Sequence, residues 1–363
     1  MRLAIDASRA TAAHVTGTEK YAIHMIRALL STNTRHAITL YFRDPPAPDL
    51  FPVAHIARPD LVIQHVIPFR RAWTHLRFAA ALSVDRPDLV WVPAHALPFV
   101  FRGRAAVTVH DLGYKYFPQA HPPRQRRYLD LTTQTSAARA HMILADSQAT
   151  ADDLTHFYGT SPDKIHVVYP GVDAPFMGDV EAVRRKYKLP DRYFMFIGTL
   201  QPRKNIARIV QAFAAWRAAQ ADHETALVLA GGRGWLFDPA WTDGIDGVIM
   251  TGYIDDADKG ALYAGARALV FPSLYEGFGF PVLEAMACGC PVICANTSSL
   301  PELAGAAALL VDPLSVEQIA DAMQRIDTND ELRTALIAKG RAQAARFTWD
   351  AAATLTLNIF ENA

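Results

Sequence analysis

The chain has 363 residues, 51% of them apolar and 20% charged, with 36 basic and 36 acidic side chains. A single hydrophobic core rarely grows past about 250–300 residues, so two domains are expected, and the ordinary globular composition excludes disorder and fibrous repeats. A formal net charge of zero excludes a globally basic nucleic-acid binder. The zero is a cancellation. Residues 1–170 carry 19 basic and 13 acidic side chains, which is +6, whereas residues 171–363 carry 17 and 23, which is −6. Twelve of the 13 histidines precede residue 171, the exception being His223. Cys288, Cys290 and Cys294 crowd into one short stretch with no second ligand cluster, which argues against zinc. Cys290 and Cys294 fall in an apolar run, where thiols act as small core hydrophobes, and an odd unpaired number fits a reducing compartment. Asp6 interrupts the N-terminal apolar stretch, and no run reaches about 18 apolar residues. Neither an export signal nor a membrane span is expected, and the cytoplasm is the expected location.

Short apolar runs alternate with amphipathic stretches along almost the whole chain. In the first half strands are expected at 3–7, 38–42, 61–67, 89–93, 105–109, 142–145 and 165–168. Helices are expected between them, among others at 18–30, 70–82, 124–140 and 148–158, with Ser147 placed to cap the last. After Tyr169-Pro170-Gly171 comes a polar stretch, and the alternation then restarts. Strands are expected at 193–197, 226–229, 248–250, 268–271, 292–295 and 309–311, with helices at 206–219, 259–264, 281–287 and 316–325. Such a run implies a parallel sheet with helices on both faces, and here it occurs twice. The expectation is α/β: two doubly wound Rossmann-like domains, residues 1–170 and 171–346, facing across a cleft that holds the ligand. Residues 347–363 hold a last helix, at 351–361, that could pack on either domain.

In open parallel sheets ligands sit beyond the carboxyl ends of the strands, so the residues after each strand are the candidates. After 193–197 comes Gly198-Thr199-Leu200-Gln201-Pro202-Arg203-Lys204-Asn205, then a helix. A glycine turn, adjacent cations and a helix N-terminus suit an anion such as a diphosphate, although a plain basic turn has the same look. No G-x-x-x-x-G-K-[ST] occurs, which disfavours a Walker-type NTPase. After 268–271 comes a loop with Glu276, Gly277, Phe278 and Gly279, followed by Pro281 and Glu284. With Pro281 at the first helical position, Glu284 falls in the first turn and Glu276 in the preceding loop. The two carboxylates suit vicinal hydroxyls, as in a ribose and a hexose. Gly277 and Gly279 suggest close approach to the backbone by a ligand, against the plainer reading of Glu284 as a helix-dipole partner. Spacing alone leaves the acid and nucleophile of a hydrolase open. Gly231 and Gly252-Tyr253 mark two further strand ends suited to a nucleoside base, or to simple turns. In the first half, Thr16-Gly17-Thr18 opens a helix and offers N–H groups to an anion, His110-Asp111 ends the strand 105–109, and His95 follows 89–93.

Together these residues resemble the family-four retaining glycosyltransferases of the two-domain GT-B architecture. The resemblance spans nearly the whole chain. It rests on Gly198-Thr199-Leu200 with Arg203-Lys204-Asn205, on Glu276-x7-Glu284, on the run from Glu284 to Val292, and on Thr108-Val-His110-Asp111, Thr16-Gly-Thr-Glu-Lys-Tyr21 and Val168-Tyr-Pro-Gly-Val-Asp173. It implies that Arg203 and Lys204 bind the donor diphosphate, that Glu284 holds the ribose and that Glu276 lies by the hexose. His110 would line the donor sugar and phosphate from the first domain, and Gly17 would lie near the phosphates and acceptor. Gly17, His95, His110 and Asp111 would form the acceptor side. Gly198, Thr199, Gly231, Gly252, Tyr253, Gly277, Phe278 and Gly279 would complete the donor site. Thr199 departs from relatives that place a further arginine there, leaving the phosphate to Arg203 and Lys204. The resemblance also implies retention, no metal and no cofactor beyond the co-substrate, a nucleotide diphosphate sugar.

The look is closest to bacterial mannosyltransferases of surface-polysaccharide assembly, so GDP-mannose is the favoured donor, with UDP-sugars open. The acceptor would be a saccharide or lipid-linked saccharide. Basic residues interleaved with aromatics at 69–78 and 123–128 suit an anionic leaflet, so peripheral contact with the inner face of the membrane is expected. A core helix with a solvated basic face explains the same pattern. The rival functions are a nucleotide-sugar epimerase or hydrolase, a phosphorylase, and a non-catalytic sugar-nucleotide-binding module.

Overall fold

The computed structural model describes residues 1–12, 17–69, 71–94, 96–220 and 224–362. Thr16, Arg70, His95 and His223 lie outside the described residues.

The first seven strands form one parallel sheet: β1 (Arg2–Asp6), β2 (Ala37–Phe42), β3 (Val62–Val66), β4 (Leu89–Val92), β5 (Ala105–Val109), β6 (Met142–Ala145) and β7 (Ile165–Val167). Their order is β3-β2-β1-β4-β5-β6-β7. Neighbouring residues alternate between two cores. Leu3, Ile5, Leu40 and Trp91 pack with the helices Gly17–Thr32 and Trp349–Asn362 on one side. Val90, Val92, Val107 and Val109 pack with Trp73, Phe78 and Leu82 on the other. Both faces are covered, which is why the strands read as continuous apolar runs.

The second sheet repeats the plan with β8 (Tyr193–Ile197), β9 (Ala226–Ala230), β10 (Val248–Gly252), β11 (Ala268–Phe271), β12 (Val292–Ala295) and β13 (Leu309–Val311), ordered β10-β9-β8-β11-β12-β13. All pairings are parallel, for example Tyr193 opposite Ala226 through Ile197 opposite Ala230. The order reverses between β1 and β4, and again between β8 and β11. These are the topological switch points, where neighbouring loops diverge and leave a crevice at the carboxyl ends. The expected α/β class with two doubly wound sheets is the observed one.

The chain divides into Met1–Gly171 with Phe347–Ala363, and Val172–Arg346. Counted over these units, the charges are 19 basic with 15 acidic (+4) and 17 basic with 21 acidic (−4). The C-terminal helix belongs to the first unit, where the Phe360 ring lies 6.0 Å from that of Trp91. A Cβ on Gly171 would stand 2.1 Å from the Trp349 backbone nitrogen, so glycine is required where the returning chain passes.

Several expectations shift. The helix foreseen at 70–82 instead follows Ala72, whose φ is +53°, and contains a wide π turn at Thr74–Phe78 before Ala79–Asp85. Two helices, Val180–Tyr187 and Asp330–Ala344, occupy stretches read as polar or left unassigned. Their charged compositions hide a narrow apolar stripe, while Asp179 and Asn329 cap their first turns. Ser147 caps its helix as expected, accepting from the Thr150 N–H at 3.1 Å. The three cysteines are buried and unpaired, and burial pushes their thiols up to about 11 for Cys288 and about 12 for Cys290 and Cys294. Among the described residues no helix is long and apolar enough to cross a membrane.

Candidate active site

The second unit's switch point carries the densest chemistry. β8 ends at Ile197 and is followed by Gly198, with φ +139°, and the chain reaches a 3-10 turn at Pro202–Lys204 before the helix Ile206–Ala218. Between them Asn205 takes a left-handed conformation, φ +64°. Its side chain does not cap the helix. The Asn205 Nδ2 donates to the carbonyls of Pro272 (3.0 Å) and Pro313 (2.6 Å), tying the loop after β8 to those after β11 and β13. The Leu274 N–H donates to the Arg203 carbonyl at 2.9 Å, so the loop after β11 lies on the cation-bearing turn.

That seam delivers Glu276 to Arg203 and Lys204. The buried carboxylate accepts from Lys204 Nζ at 2.5 Å and from Arg203 Nη1 at 3.0 Å. Arg203 Nη1 also donates to the Tyr275 carbonyl at 2.6 Å. Burial alone would push the Glu276 carboxyl up, but Lys204 and then Arg203 override it and hold it below the usual range. From sequence, the cations suit phosphate and Glu276 the sugar as separate pieces; the structure joins them into one cluster of net charge +1. Two residues not foreseen anchor it from the end of β12. The Glu276 N–H donates to Ser298 Oγ at 2.8 Å, and Ser299 Oγ donates to the Glu276 carbonyl at 3.0 Å. Their position after a strand was the available signal.

The helix after Glu276 spans Phe280–Ala287, starting one residue before the expected Pro281. Glu284 is therefore its fifth residue and lies beyond the first turn, which removes the dipole reading. Its Oε2 accepts from the buried Tyr263 hydroxyl at 2.9 Å, a second unforeseen partner. Gly279 has φ +119°, and a Cβ there would meet Leu300 Cδ2 at 2.7 Å. Backbone conformation and packing at the helix entry thus explain this glycine without a ligand. Gly277 and Phe278 are buried in the same loop, the Phe278 ring 4.9 Å from Phe280.

Gly198, Gly231 and Gly252 come together at the ends of β8, β9 and β10. The Gly231 N–H donates to the Gly252 carbonyl at 2.8 Å, and a Cβ on Gly231 would stand 2.1 Å from the Gly198 oxygen. The requirement at Gly231 comes from its neighbour strand. Thr199 and Tyr253 are exposed beside this row.

In the first unit His110 follows β5. Its Nδ1 is 2.7 Å from Asp146 Oδ2, after β6, and its Nε2 is 3.0 Å from the Pro93 carbonyl, after β4. A carbonyl only accepts, so Nε2 carries a proton, and the carboxylate favours a second proton on Nδ1. Burial alone would lower the His110 pKa; Asp146 and the Pro93 carbonyl raise it instead. Both ring nitrogens are therefore engaged within the unit, a constraint not foreseen for a residue expected to line the donor. Asp111 Oδ1 accepts from the Gly113 N–H at 2.8 Å, closing a turn. Gly17 is the exposed first residue of its helix, with open space around a built Cβ.

Residues 15–175 match the family described as Glycosyltransferase Family 4, and residues 179–343 match Glycosyl transferases group 1. The chain is 35% identical over 322 residues to the O-antigen chain mannosyltransferase B of Escherichia coli, covering 85% of this chain and 82% of that protein. This chain belongs to the family-4 glycosyltransferases. The glycosyltransferase has the GT-B fold. It matches sucrose-phosphate synthase from Thermosynechococcus elongatus with a TM-score of 0.75 at 22% identity, over 99% and 98% of the two chains. The Anabaena HepE structure in complex with UDP and glucose matches with a TM-score of 0.73 at 16% identity, over 100% and 99%.

Proposed function

We propose that this glycosyltransferase moves a hexose, mannose in first place, from a nucleotide diphosphate sugar to a saccharide or lipid-linked saccharide of a surface polysaccharide or glycolipid. The observation that carries the reading is Glu276 fixed between Arg203 and Lys204 at a switch point. GDP-mannose is the favoured donor, supported by the mannosyltransferase relative; UDP-sugars are the alternative, supported by the UDP-bound structural neighbour.

In transfer, the bond from the anomeric carbon to the diphosphate breaks as the acceptor oxygen bonds to that carbon. Positive charge grows on the sugar ring and negative charge on the departing diphosphate. Arg203 and Lys204 are held in place to meet the second, and the Glu276 carboxylate to meet the first. An arriving diphosphate competes for the cations and frees the carboxylate toward the sugar. Glu284, held by Tyr263, takes the ribose hydroxyls, for which an ionised carboxylate is a pure acceptor. Thr199, Gly198, Gly231, Gly252 and exposed Tyr253 line the remaining nucleotide path. The acceptor meets the side of Gly17, His110 and Asp111. We assign retention of the anomeric configuration, the acceptor proton leaving on a phosphate oxygen, and cations from protein side chains in place of a metal. The acceptor is met at the inner face of the membrane.

Incubation with GDP-, UDP-, ADP- and dTDP-sugars, with and without acceptor, tests this. Nucleotide release only with acceptor, and an NMR-retained anomer, are expected. Free sugar or an epimer without acceptor points to the hydrolase or epimerase, and binding without turnover to a binding module.

A further inference from the structure

Glu276 is held in two independent ways, by its backbone and by its side chain. Ser298 Oγ accepts from the Glu276 N–H at 2.8 Å and donates to the carbonyl of the same residue. Ser299 Oγ donates to that carbonyl at 3.0 Å. Ser298 itself sits at a left-handed φ of +58°, uncommon for a residue with a Cβ and typical of functional sites. The Glu276 peptide is thus fixed from the end of β12, and its carboxylate can change partners without moving the chain.

The partners it has, Lys204 on Oε1 and Arg203 on Oε2, are the ones a diphosphate would take. A further donor stands beside it. The Ser273 hydroxyl, in the loop after β11, is fully buried, and among the described residues its Oγ makes no hydrogen bond of ordinary geometry. It nevertheless faces the Glu276 carboxylate closely enough to help hold the charged form. A buried hydroxyl without a bond is costly, and native proteins seldom leave one. The resting site therefore keeps a donor in reserve next to a carboxylate that two cations already satisfy.

We propose that Ser273 is a positioning residue that receives the Glu276 carboxylate when the donor diphosphate draws Arg203 and Lys204 away. Its hydroxyl then donates to one carboxylate oxygen and leaves the other to accept from a sugar hydroxyl. The step is an exchange of hydrogen-bond partners, with no proton transferred. It rests on the proposed reading of the two cations as diphosphate ligands and of Glu276 as the sugar ligand. The exchange also governs charge. A buried carboxyl stripped of both cations takes up a proton more readily, and the Ser273 donor opposes that. The charged groups facing it are Arg203 and Lys204 of the turn after β8; Ser298 and Ser299 face it from the end of β12, and Glu284, on the following helix, is bonded to Tyr263.

The test is Ser273→Ala, with kcat for transfer from GDP-mannose followed against pH, the GDP Kd by calorimetry, and the melting temperature. A kcat lower by about tenfold or more is expected, the scale of one hydrogen bond to a charged group, with the GDP Kd within about twofold. The acid limb of the kcat profile moves up by about one pH unit, because a carboxyl without its donor protonates sooner. The melting temperature holds or rises, since the resting state loses no bond. In a Glu276→Gln background the same substitution adds less than about twofold, as expected of a residue acting through Glu276. Ser273→Cys, of similar shape and a weaker donor, gives the same shifts in smaller measure and stands in if the alanine variant does not fold. Wild-type kcat, a lowered kcat with an unmoved acid limb, or full additivity with Glu276→Gln overturns the proposal. Wild-type turnover by Glu276→Gln alone overturns instead the reading on which it rests.

Discussion

Glu276 is a buried carboxylate whose charge depends on two neighbours, so its removal separates binding from chemistry. Glu276→Gln frees Arg203 and Lys204 for the diphosphate. It is expected to leave the nucleotide Kd unchanged or tighter while kcat falls about 10²–10³-fold, the scale of losing one preorganised electrostatic partner; calorimetric titration and steady-state kinetics measure the split. The pKa depression has a sign in stability as well. A lowered folded value contributes stability above the unfolded pKa of about 4.3, and that contribution is lost as pH falls through the folded value. Thermal unfolding against pH should therefore slope less steeply below about pH 4 in Glu276→Gln than in the wild type. His110 has the opposite sign. Its raised pKa contributes stability below about 6.5 that is lost as pH rises through the folded value, and His110→Gln should flatten the melting temperature across that alkaline window.

At the scale of elements, the site is a seam between loops, and Asn205 is the stitch. Asn205→Ala leaves the carbonyls of Pro272 and Pro313 without their donor and puts a Cβ residue less tolerant of φ +64° in its place. Denaturant unfolding should show a loss of about 2–4 kcal/mol, the sum of orphaned buried acceptors and the left-handed cost. This seam also marks the limit of what could be read from the sequence. The strands were legible because both sheet faces are buried, and Gly198, Arg203, Lys204, Glu276 and Glu284 stand out as candidates because the strand ends of open parallel sheets are where ligands generally bind. The ion pairs of Glu276, the Tyr263 contact and the Ser298–Ser299 anchor were not, since each joins residues 21 to 73 positions apart by tertiary packing alone. At Gly279 a helix entry and a ligand approach impose the same demand for glycine, so the residue type alone does not separate them. The helix Asp330–Ala344 was missed because its mixed charge blurs the 3.6-residue period.

At the scale of the molecule, the zero net charge divides into units of +4 and −4, and the C-terminal helix explains the change from ±6. That helix brings Asp350 and Glu361 to the basic unit, where Glu361 Oε1 stands 2.7 Å from His36 Nε2 and 3.1 Å from Arg35. It also buries Ala353, Leu357 and Phe360 in the first core. Ending the chain at Arg346 exposes that core, and calorimetry should show the first unit's transition falling by several degrees or vanishing while the second is kept. A simultaneous loss of both would contradict the division. The acidic unit, meanwhile, holds its proposed anion site by local cations and not by bulk charge. The most direct test is therefore Lys204→Ala, assayed for sugar transfer from GDP-mannose in protein shown by circular dichroism to be folded. Transfer reduced by about 10²-fold or more is the predicted result, and wild-type turnover would contradict the placement of the reaction at this cluster.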